Sequence, residues 1–210
     1  MQMNILAVGA HFDDVELGCS GSLINHVRKG DNVTVLVLTN SGYADPNGAV
    51  VRTDDEALAE GRAASDIMGV ELLTLNHRTF YLQFNEETTL HLNKLINERN
   101  IDTVYCHWIH DLHRDHQAAA QSTIMASRRV PRVLMYRSNH YDTPHTFAGN
   151  VYSDISEAMA TKIEVIKAHR SELERVRYKW IDFFTRLNAN DGQKIGVDYA
   201  ECFEIVRYRI

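Results

Sequence analysis

The sequence predicts an α/β fold: a single domain with a Rossmann-like, mostly parallel sheet and helices on both faces. Short apolar runs rich in β-branched residues alternate along the chain with longer segments of helical periodicity. The first run, NILAVG at residues 4–9, is continuously apolar, as in a strand buried on both faces. A length of 210 residues suits one domain with a sizeable core, and no linker or internal repeat divides it. We therefore predict one domain spanning residues 1–210.

The alternation defines five strands and four helices. We predict strands over residues 4–9, 32–39, 72–76, 103–107 and 133–138. We predict helices over residues 15–29, 53–68, 86–99 and 115–128, with Gly69 ending the second. Residues 40–51, rich in Gly, Asp, Pro and Asn, are predicted as a loop. In parallel sheets ligands bind beyond the carboxyl ends of the strands, so we expect functional residues directly after them.

The composition excludes several classes of protein. Hydrophobic residues make up 44% of the chain and charged residues 24%, and no apolar run is long enough to span a membrane. The net charge is −6 without a dense basic cluster, which disfavours nucleic acid as a partner. The N-terminus lacks the basic region of a signal peptide, and three widely spaced cysteines do not form a disulfide framework. These features predict a cytoplasmic protein.

The first motif that carries chemistry is His11-Phe12-Asp13-Asp14, immediately after the first strand. The imidazole and one carboxylate can turn towards a single metal ion and leave the other carboxylate free. Zinc in hydrolases is usually held by three protein ligands, with water at an open position. The alternative is structural: acidic residues are favourable at a helix N-terminus, and His11 then simply belongs to the turn.

The second motif, HWIHDLHRDH at residues 107–116, follows the fourth strand and has four histidines at intervals of three. Ordinary packing or hydrogen bonding accounts for His107 and His110. His113 and His116 differ because Asp115 accompanies them and can accept a ring N–H that fixes a histidine tautomer. The residues alone do not separate His113 from His116 as a ligand. Together, the two motifs predict an open catalytic zinc site, with nitrogen and oxygen donors and no cysteine.

At these residues the chain resembles the LmbE-like, or PIG-L-type, deacetylase family, whose marks are an A-H-P-D-D segment after the first strand and a later H-x-D-H segment. Here they are AHFDD at residues 10–14 and HRDH at residues 113–116, with Phe12 in place of the usual proline. Weaker matches cover nearly the whole chain. They comprise Thr39 with the following loop, residues 67–70, residues 154–156 with Lys162, and residues 200–203.

The resemblance implies a Zn²⁺-dependent hydrolase that removes an N-acetyl or other N-acyl group from an amino-sugar derivative. Its substrate is then a small N-acetylated sugar or a glycoconjugate. Three residues are implied as zinc ligands: His11, Asp14 and His116. Asp13 is implied as the general base that takes a proton from the zinc-bound water. His113 is implied to stabilise the oxyanion, and Asp115 to orient a histidine.

Two further residues are candidates for substrate binding. The family often has an arginine near the loop after the second strand, and Arg52 is the candidate here, with an exposed loop arginine as the alternative. Tyr141 lies in a polar and aromatic segment, residues 139–150, and its ring can stack on a sugar. An ordinary surface loop is the alternative for that segment.

Other functions and the oligomeric state stay open at this stage. One alternative function is a non-catalytic metal-binding or nucleotide-binding α/β protein. The G-x-G-x-x-G fingerprint of a dinucleotide site is absent after the first strand, and two carboxylates there repel phosphate. Trp180, Phe183 and Phe184 are compatible with a homo-oligomer, and equally with packing on the sheet of their own chain.

Overall fold

A seven-stranded sheet forms the centre of the computed structural model, which describes residues 2–209. Its strands are β1 (Asn4–Gly9), β2 (Asn32–Thr39), β5 (Glu71–His77), β6 (Thr103–His107), β7 (Arg132–Tyr136), β8 (Val151–Asp154) and β9 (Ala200–Tyr208). The order across the sheet is β5-β2-β1-β6-β7-β9-β8. The first five strands in this order are parallel, and β9 is antiparallel to both of its neighbours. The predicted α/β fold with a mostly parallel sheet is confirmed.

Helices cover both faces of this sheet. They are α1 (Asp14–Gly18), α2 (Ser20–Arg28), α3 (Asp54–Met68), α4 (Glu86–Glu98), α5 (Arg114–Ala126), α6 (Met159–Lys167), α7 (Arg170–Arg175) and α8 (Lys179–Ile195). Alternate residues of β1 enter two separate cores. Ile5 and Ala7 pack with residues of α2, α3 and α6, whereas Leu6 and Val8 pack with residues of α4 and α5. Every residue of β1 from Ile5 onward is buried, and the strand is apolar over that stretch.

Several element boundaries match the prediction and others differ. The strands β1, β2 and β6 have the predicted bounds. The single helix predicted over residues 15–29 is wrong: α1 and α2 are separated at Cys19, whose φ of −149° interrupts the helical backbone. The loop predicted over residues 40–51 contains a short hairpin, β3 (Tyr43–Ala44) paired with β4 (Val50–Arg52). This hairpin matters for the site because it ends in Arg52.

The direction of the strand connections reverses beside β1. Strand β2 lies on one side of β1, and β6 lies on the other. The segments that leave the carboxyl ends of β1 and β6 therefore meet at a topological switch point, where open α/β sheets bind ligands. Both sequence motifs begin in these two segments, at His11 and His107.

A buried ion pair between α6 and β9 also forms hydrogen bonds to α1 and α2. The Lys162 Nζ lies 2.6 Å from the Glu201 carboxylate and also donates to the Leu17 carbonyl, with both charged side chains almost fully buried. Glu201 in turn accepts the backbone N–H groups of Gly21 and Ser22 at the start of α2. A carboxylate at this helix end satisfies N–H groups that have no partner within the helix.

Two of the three aromatic residues of α8 pack in the core of their own chain. Trp180 and Phe184 are buried in a small cluster with Leu17, Ile166 and Leu173, while Phe183 is partly exposed. Trp180 and Phe184 therefore pack on their own chain, as in the second of the two alternatives, and Phe183 is not part of that cluster. Between residues 2 and 209, no helix is both long enough and apolar enough to cross a membrane.

Candidate metal centre and active site

Three side chains from the two motifs converge at the switch point. The His11 Nδ1 lies 3.3 Å from the His116 Nε2 and 3.3 Å from the Asp14 Oδ2, and the His116 Nε2 lies 3.1 Å from the Asp14 Oδ1. A tetrahedral zinc ion with bonds of about 2.0–2.1 Å places its ligand atoms about 3.4 Å apart. The 3.3 Å between the two imidazole nitrogens suits two ligands of one Zn²⁺ ion, and each nitrogen lies near a different oxygen of Asp14. Two overlapping groups of side chains could hold a metal ion here: His11, His113 and His116, and Asp14, His107 and His116. The three predicted ligands all belong to these groups.

Neighbouring polar groups fix the orientation of both rings. The Asp115 Oδ2 lies 2.9 Å from the His11 Nε2, the ring nitrogen turned away from the candidate ligands. The Asp111 Oδ2 lies 3.2 Å from the His116 Nδ1, and the Asn139 side chain contacts the same nitrogen. Carboxylates that hold the second nitrogen of a histidine are a regular feature of zinc sites.

The electrostatics of the cluster favour positive charge. Burial disfavours the protonated form of His11, but the carboxylates of Asp115 and Asp14 outweigh burial and raise its pKa. The pKa of His116 is likewise raised, because Asp14 and Asp111 overcome the cost of burial. Burial acts against the charge of Asp14 too, yet its histidine neighbours hold its pKa well below the usual range. A divalent cation can take the place of these protons.

Asp13 points into the same cavity from an unusual backbone conformation. Its φ is 129°, which is rare for a residue with a side chain, and it is 9% exposed. Burial and the neighbouring Asp14 carboxylate raise the pKa of its carboxyl to about 7, against the opposing effect of Arg52. A carboxyl group whose pKa is near 7 can both accept and return a proton at neutral pH. Strained backbone of this kind is concentrated at functional sites.

His113 faces the cavity and immediately precedes α5. Its Nδ1 accepts the backbone N–H of Asp115 at 3.2 Å, so the proton of the neutral ring lies on Nε2. Burial, together with the nearby His11 and His116, lowers the pKa of His113 to about 4. A neutral imidazole with its N–H towards the cavity can donate a hydrogen bond to a developing negative charge.

Arg52 is buried beneath the loop that carries Asp13. It is 2% exposed, so the alternative of an exposed loop arginine is wrong. Its guanidinium donates to the Phe12 carbonyl at 3.0 Å and to the Glu60 carboxylate at 2.7 Å, and it contacts the His169 Nδ1. The Arg52 Nη1 also lies 3.7 Å from the Asp13 carboxylate. These contacts tie the loop after β1 to α3 and to the start of α7.

Two residues at the centre of the site had been assigned no role from the sequence. His107 is fully buried, stacks on the His116 ring at 4.1 Å, and places its Nε2 3.2 Å from the Asp14 Oδ2. The Ser138 hydroxyl donates to the Asp14 Oδ1 at 2.9 Å. Both residues lie at strand ends, which is the one signal in the sequence that could have identified them.

The cavity above these groups has a volume of about 250 Å³. Tyr141, a predicted substrate-binding residue, lies at its edge with just over half of its side chain exposed. His140 and Asn139 accompany it, so the first part of the segment 139–150 lines the cavity. His110 lies away from the metal ligands, in an exposed stack with His145 at 4.1 Å.

The fold and the site together define an α/β protein with a candidate metal centre at the switch point of its sheet. The chain belongs to the PIG-L family: the family model described as GlcNAc-PI de-N-acetylase matches residues 6–127. It is similar to YaiS of Escherichia coli K12, described as an uncharacterised deacetylase. The two are 32% identical over 185 residues, which cover 80% of this chain and 90% of YaiS.

Solved structures share the fold. One is the N,N'-diacetylchitobiose deacetylase from Pyrococcus horikoshii, with a TM-score of 0.83, 22% identity, and coverage of 97% of this chain and 83% of that one. Another is GalB from Pseudomonas putida, a 4-carboxy-2-hydroxymuconate hydratase, with a TM-score of 0.82, 18% identity, and coverage of 100% and 98%. Since a hydratase has this fold too, the fold alone does not define the reaction.

Proposed function

We propose that the chain is a zinc-dependent amidohydrolase that removes the acetyl group from an N-acetylated amino-sugar derivative. The observation that carries the proposal is the convergence of His11, Asp14 and His116: the two imidazole nitrogens lie 3.3 Å apart, as ligands of tetrahedral zinc do, and each lies within 3.3 Å of an oxygen of Asp14. Asp13 and His113 face the same cavity and supply the two further groups that amide hydrolysis requires. Membership of a de-N-acetylase family supports an amide as the bond that is broken.

Each step is assigned to a residue of the chain. Zinc bound at this centre supplies Lewis acidity, which lowers the pKa of water from 15.7 to about 7. Asp13 takes the proton from the attacking water and returns it to the amine nitrogen as the C–N bond breaks. His113 donates its Nε2–H to the oxygen that becomes negative in the transition state, a contribution of about 3–4 kcal/mol for one such donor. Asp115 and Asp111 hold the two histidine ligands in orientation.

An amino sugar is the substrate class that the relatives support. The description of the matching family model names an N-acetylglucosaminyl lipid as the compound that is deacetylated. The name of the structurally similar Pyrococcus horikoshii enzyme contains an N-acetylated disaccharide. The cavity of about 250 Å³ lies below the 300–1,000 Å³ typical of pockets for drug-sized ligands. It therefore suits one sugar ring, and Tyr141 at its edge is proposed to stack on that ring. Larger substituents would extend into solvent.

The test is metal analysis combined with acetate release from N-acetylglucosamine derivatives. We expect one zinc ion per chain and hydrolysis by the wild type. Asp13→Asn should keep the zinc and lose turnover by at least about a hundredfold, the usual value of a general base. Asp14→Asn should instead lose the zinc. Asp66→Asn, an exposed carboxylate on α3, is the matched control and should change neither.

The alternative function predicts a different result. A metal-binding protein without hydrolytic activity would hold one zinc ion and release no acetate from any N-acyl sugar. Normal turnover by Asp13→Asn, with its zinc retained, would contradict the role of Asp13 as base while leaving the metal centre intact.

A further inference from the structure

A second polar group lines the cavity and has no part in the proposed hydrolysis. The Glu172 carboxylate on α7 is 3% exposed and accepts a hydrogen bond from the Tyr43 hydroxyl at 2.7 Å. Its other oxygen accepts from the Arg175 Nε at 2.7 Å. All three side chains line the same cavity as Asp13 and His113. They come from the β3–β4 hairpin and α7, which are far apart in the sequence.

This group lies on the Asp13 side of the cavity. Arg52 contacts Asp13 and is bound to Glu60, and Glu60 accepts both the backbone N–H and the hydroxyl of Ser171 at 2.7 Å. Ser171 directly precedes Glu172 in the chain. In the proposed reaction Asp13 hands a proton to the departing nitrogen, so a polar group connected to Asp13 is well placed to bind the substituent on that nitrogen.

The three side chains retain hydrogen-bonding capacity. A carboxylate has about four acceptor positions, and the Glu172 Oε1 uses one of its two for Tyr43. The Tyr43 oxygen still has acceptor lone pairs, and the Arg175 side chain is about 40% exposed with donors to spare. Thr79 lines the same cavity, and its buried hydroxyl has no hydrogen-bond partner among the residues that the structure describes. The Phe80 ring beside it contacts the Tyr43 ring at 5.6 Å.

We propose that Tyr43, Glu172 and Arg175 form a hydroxyl-binding subsite for the ring that carries the acylated nitrogen. The inference rests on the proposed function and specifies its recognition. The Glu172 carboxylate is a hydrogen-bond acceptor, and the Arg175 guanidinium beside it is a donor. Together they match two neighbouring hydroxyl groups of a sugar, each of which can donate one hydrogen bond and accept another. The Trp180 ring, with the Arg175 guanidinium 5.7 Å from its centre, supplies an apolar surface for the same ring. The subsite selects polyhydroxylated amines over plain ones.

The experiment compares two substrates that differ in their hydroxyl groups. N-acetylglucosamine and N-cyclohexylacetamide both place an acetylated nitrogen on a six-membered ring, and the second has no hydroxyls. Tyr43→Phe and Glu172→Gln should each lower kcat/KM for the sugar by about ten- to a hundredfold, the usual effect of losing a hydrogen bond to a charged group. The rate with N-cyclohexylacetamide and the zinc content should stay within twofold of the wild type. Glu174→Gln, exposed on the same helix, is the control.

A binding measurement separates this inference from the proposed function. Calorimetry with glucosamine and cyclohexylamine should show that both variants weaken binding of glucosamine alone. If the wild type hydrolyses neither amide, the proposed function fails, and glucosamine binding still decides the subsite. Equal losses on both substrates, or unchanged glucosamine binding in both variants, would overturn the subsite.

Discussion

Gly61→Ala tests how the loop before Asp13 is supported. Gly61 lies inside α3, where alanine is normally more stable than glycine by about 1 kcal/mol. Here a Cβ atom would lie 2.2 Å from the Cδ1 of Phe12, far inside the 3.5–4.0 Å of an ordinary contact. The Phe12 ring is 1% exposed and cannot move aside freely. Since overpacking costs about 1–3 kcal/mol or more, we expect Gly61→Ala to destabilise the protein despite its higher helix propensity.

A double-mutant cycle gives this prediction its sharpest form. In a Phe12→Ala background the clash is absent, so Gly61→Ala should become stabilising by about 1 kcal/mol. The sign of the effect therefore reverses, and the coupling energy between the two positions equals the cost of the clash, about 1–3 kcal/mol or more. Urea denaturation measures the free energy of unfolding for all four proteins, and Arg62→Ala, exposed on the same helix, is the control. The same gain in stability in both backgrounds would refute the reasoning.

Three further predictions concern the residues around the metal ligands and a distant ion pair. Asp115→Asn should lower zinc affinity about 10–100-fold, because it weakens the contact that orients His11; a chelator competition measures this. Arg52→Lys should lower kcat by at least about tenfold and leave zinc content unchanged, since one ammonium group cannot hold all the partners of the guanidinium. Burial disfavours the charge on Asp31, but hydrogen bonds from His26 and a backbone N–H outweigh it and lower its pKa. The stability that Asp31 contributes should therefore be fully present above the ordinary aspartate pKa of about 4 and be lost as the pH falls through its lowered pKa. Urea denaturation at a series of acidic pH values should show the difference between the wild type and Asp31→Asn shrink.

The parallel part of the sheet could be predicted from sequence because burial on both faces produces continuous apolar runs. Strands β1, β2 and β6 have such runs and the predicted bounds. Strand β9 mixes polar and apolar residues, since its neighbours are antiparallel and one of its charged residues, Glu201, is buried in an ion pair. The break between α1 and α2 at Cys19 directly follows Gly18, but one glycine within a helical pattern does not by itself predict a break.

Part of the candidate site could likewise be predicted from the sequence, and part could not. The motifs at residues 10–14 and 113–116 come together, as their positions after two adjacent strands predict. The choice of His116 over His113 as a ligand came from the family resemblance. The burial of Arg52 could not be predicted, because its partners Glu60 and His169 come from α3 and from the residue before α7. Long-range contacts of this kind leave no local pattern in the sequence.

The ion pair of Lys162 and Glu201 has a consequence for the order in which the protein assembles on the ribosome. Glu201 accepts N–H groups from residues 180 and 179 positions earlier in the chain. The three candidate metal ligands, the last of them His116, are synthesised long before it. Until β9 emerges, β7 has an unpaired edge and the start of α2 lacks its acceptor. The nascent chain thus carries the three candidate metal ligands while this sheet edge is still open to aggregation, and β9 closes it.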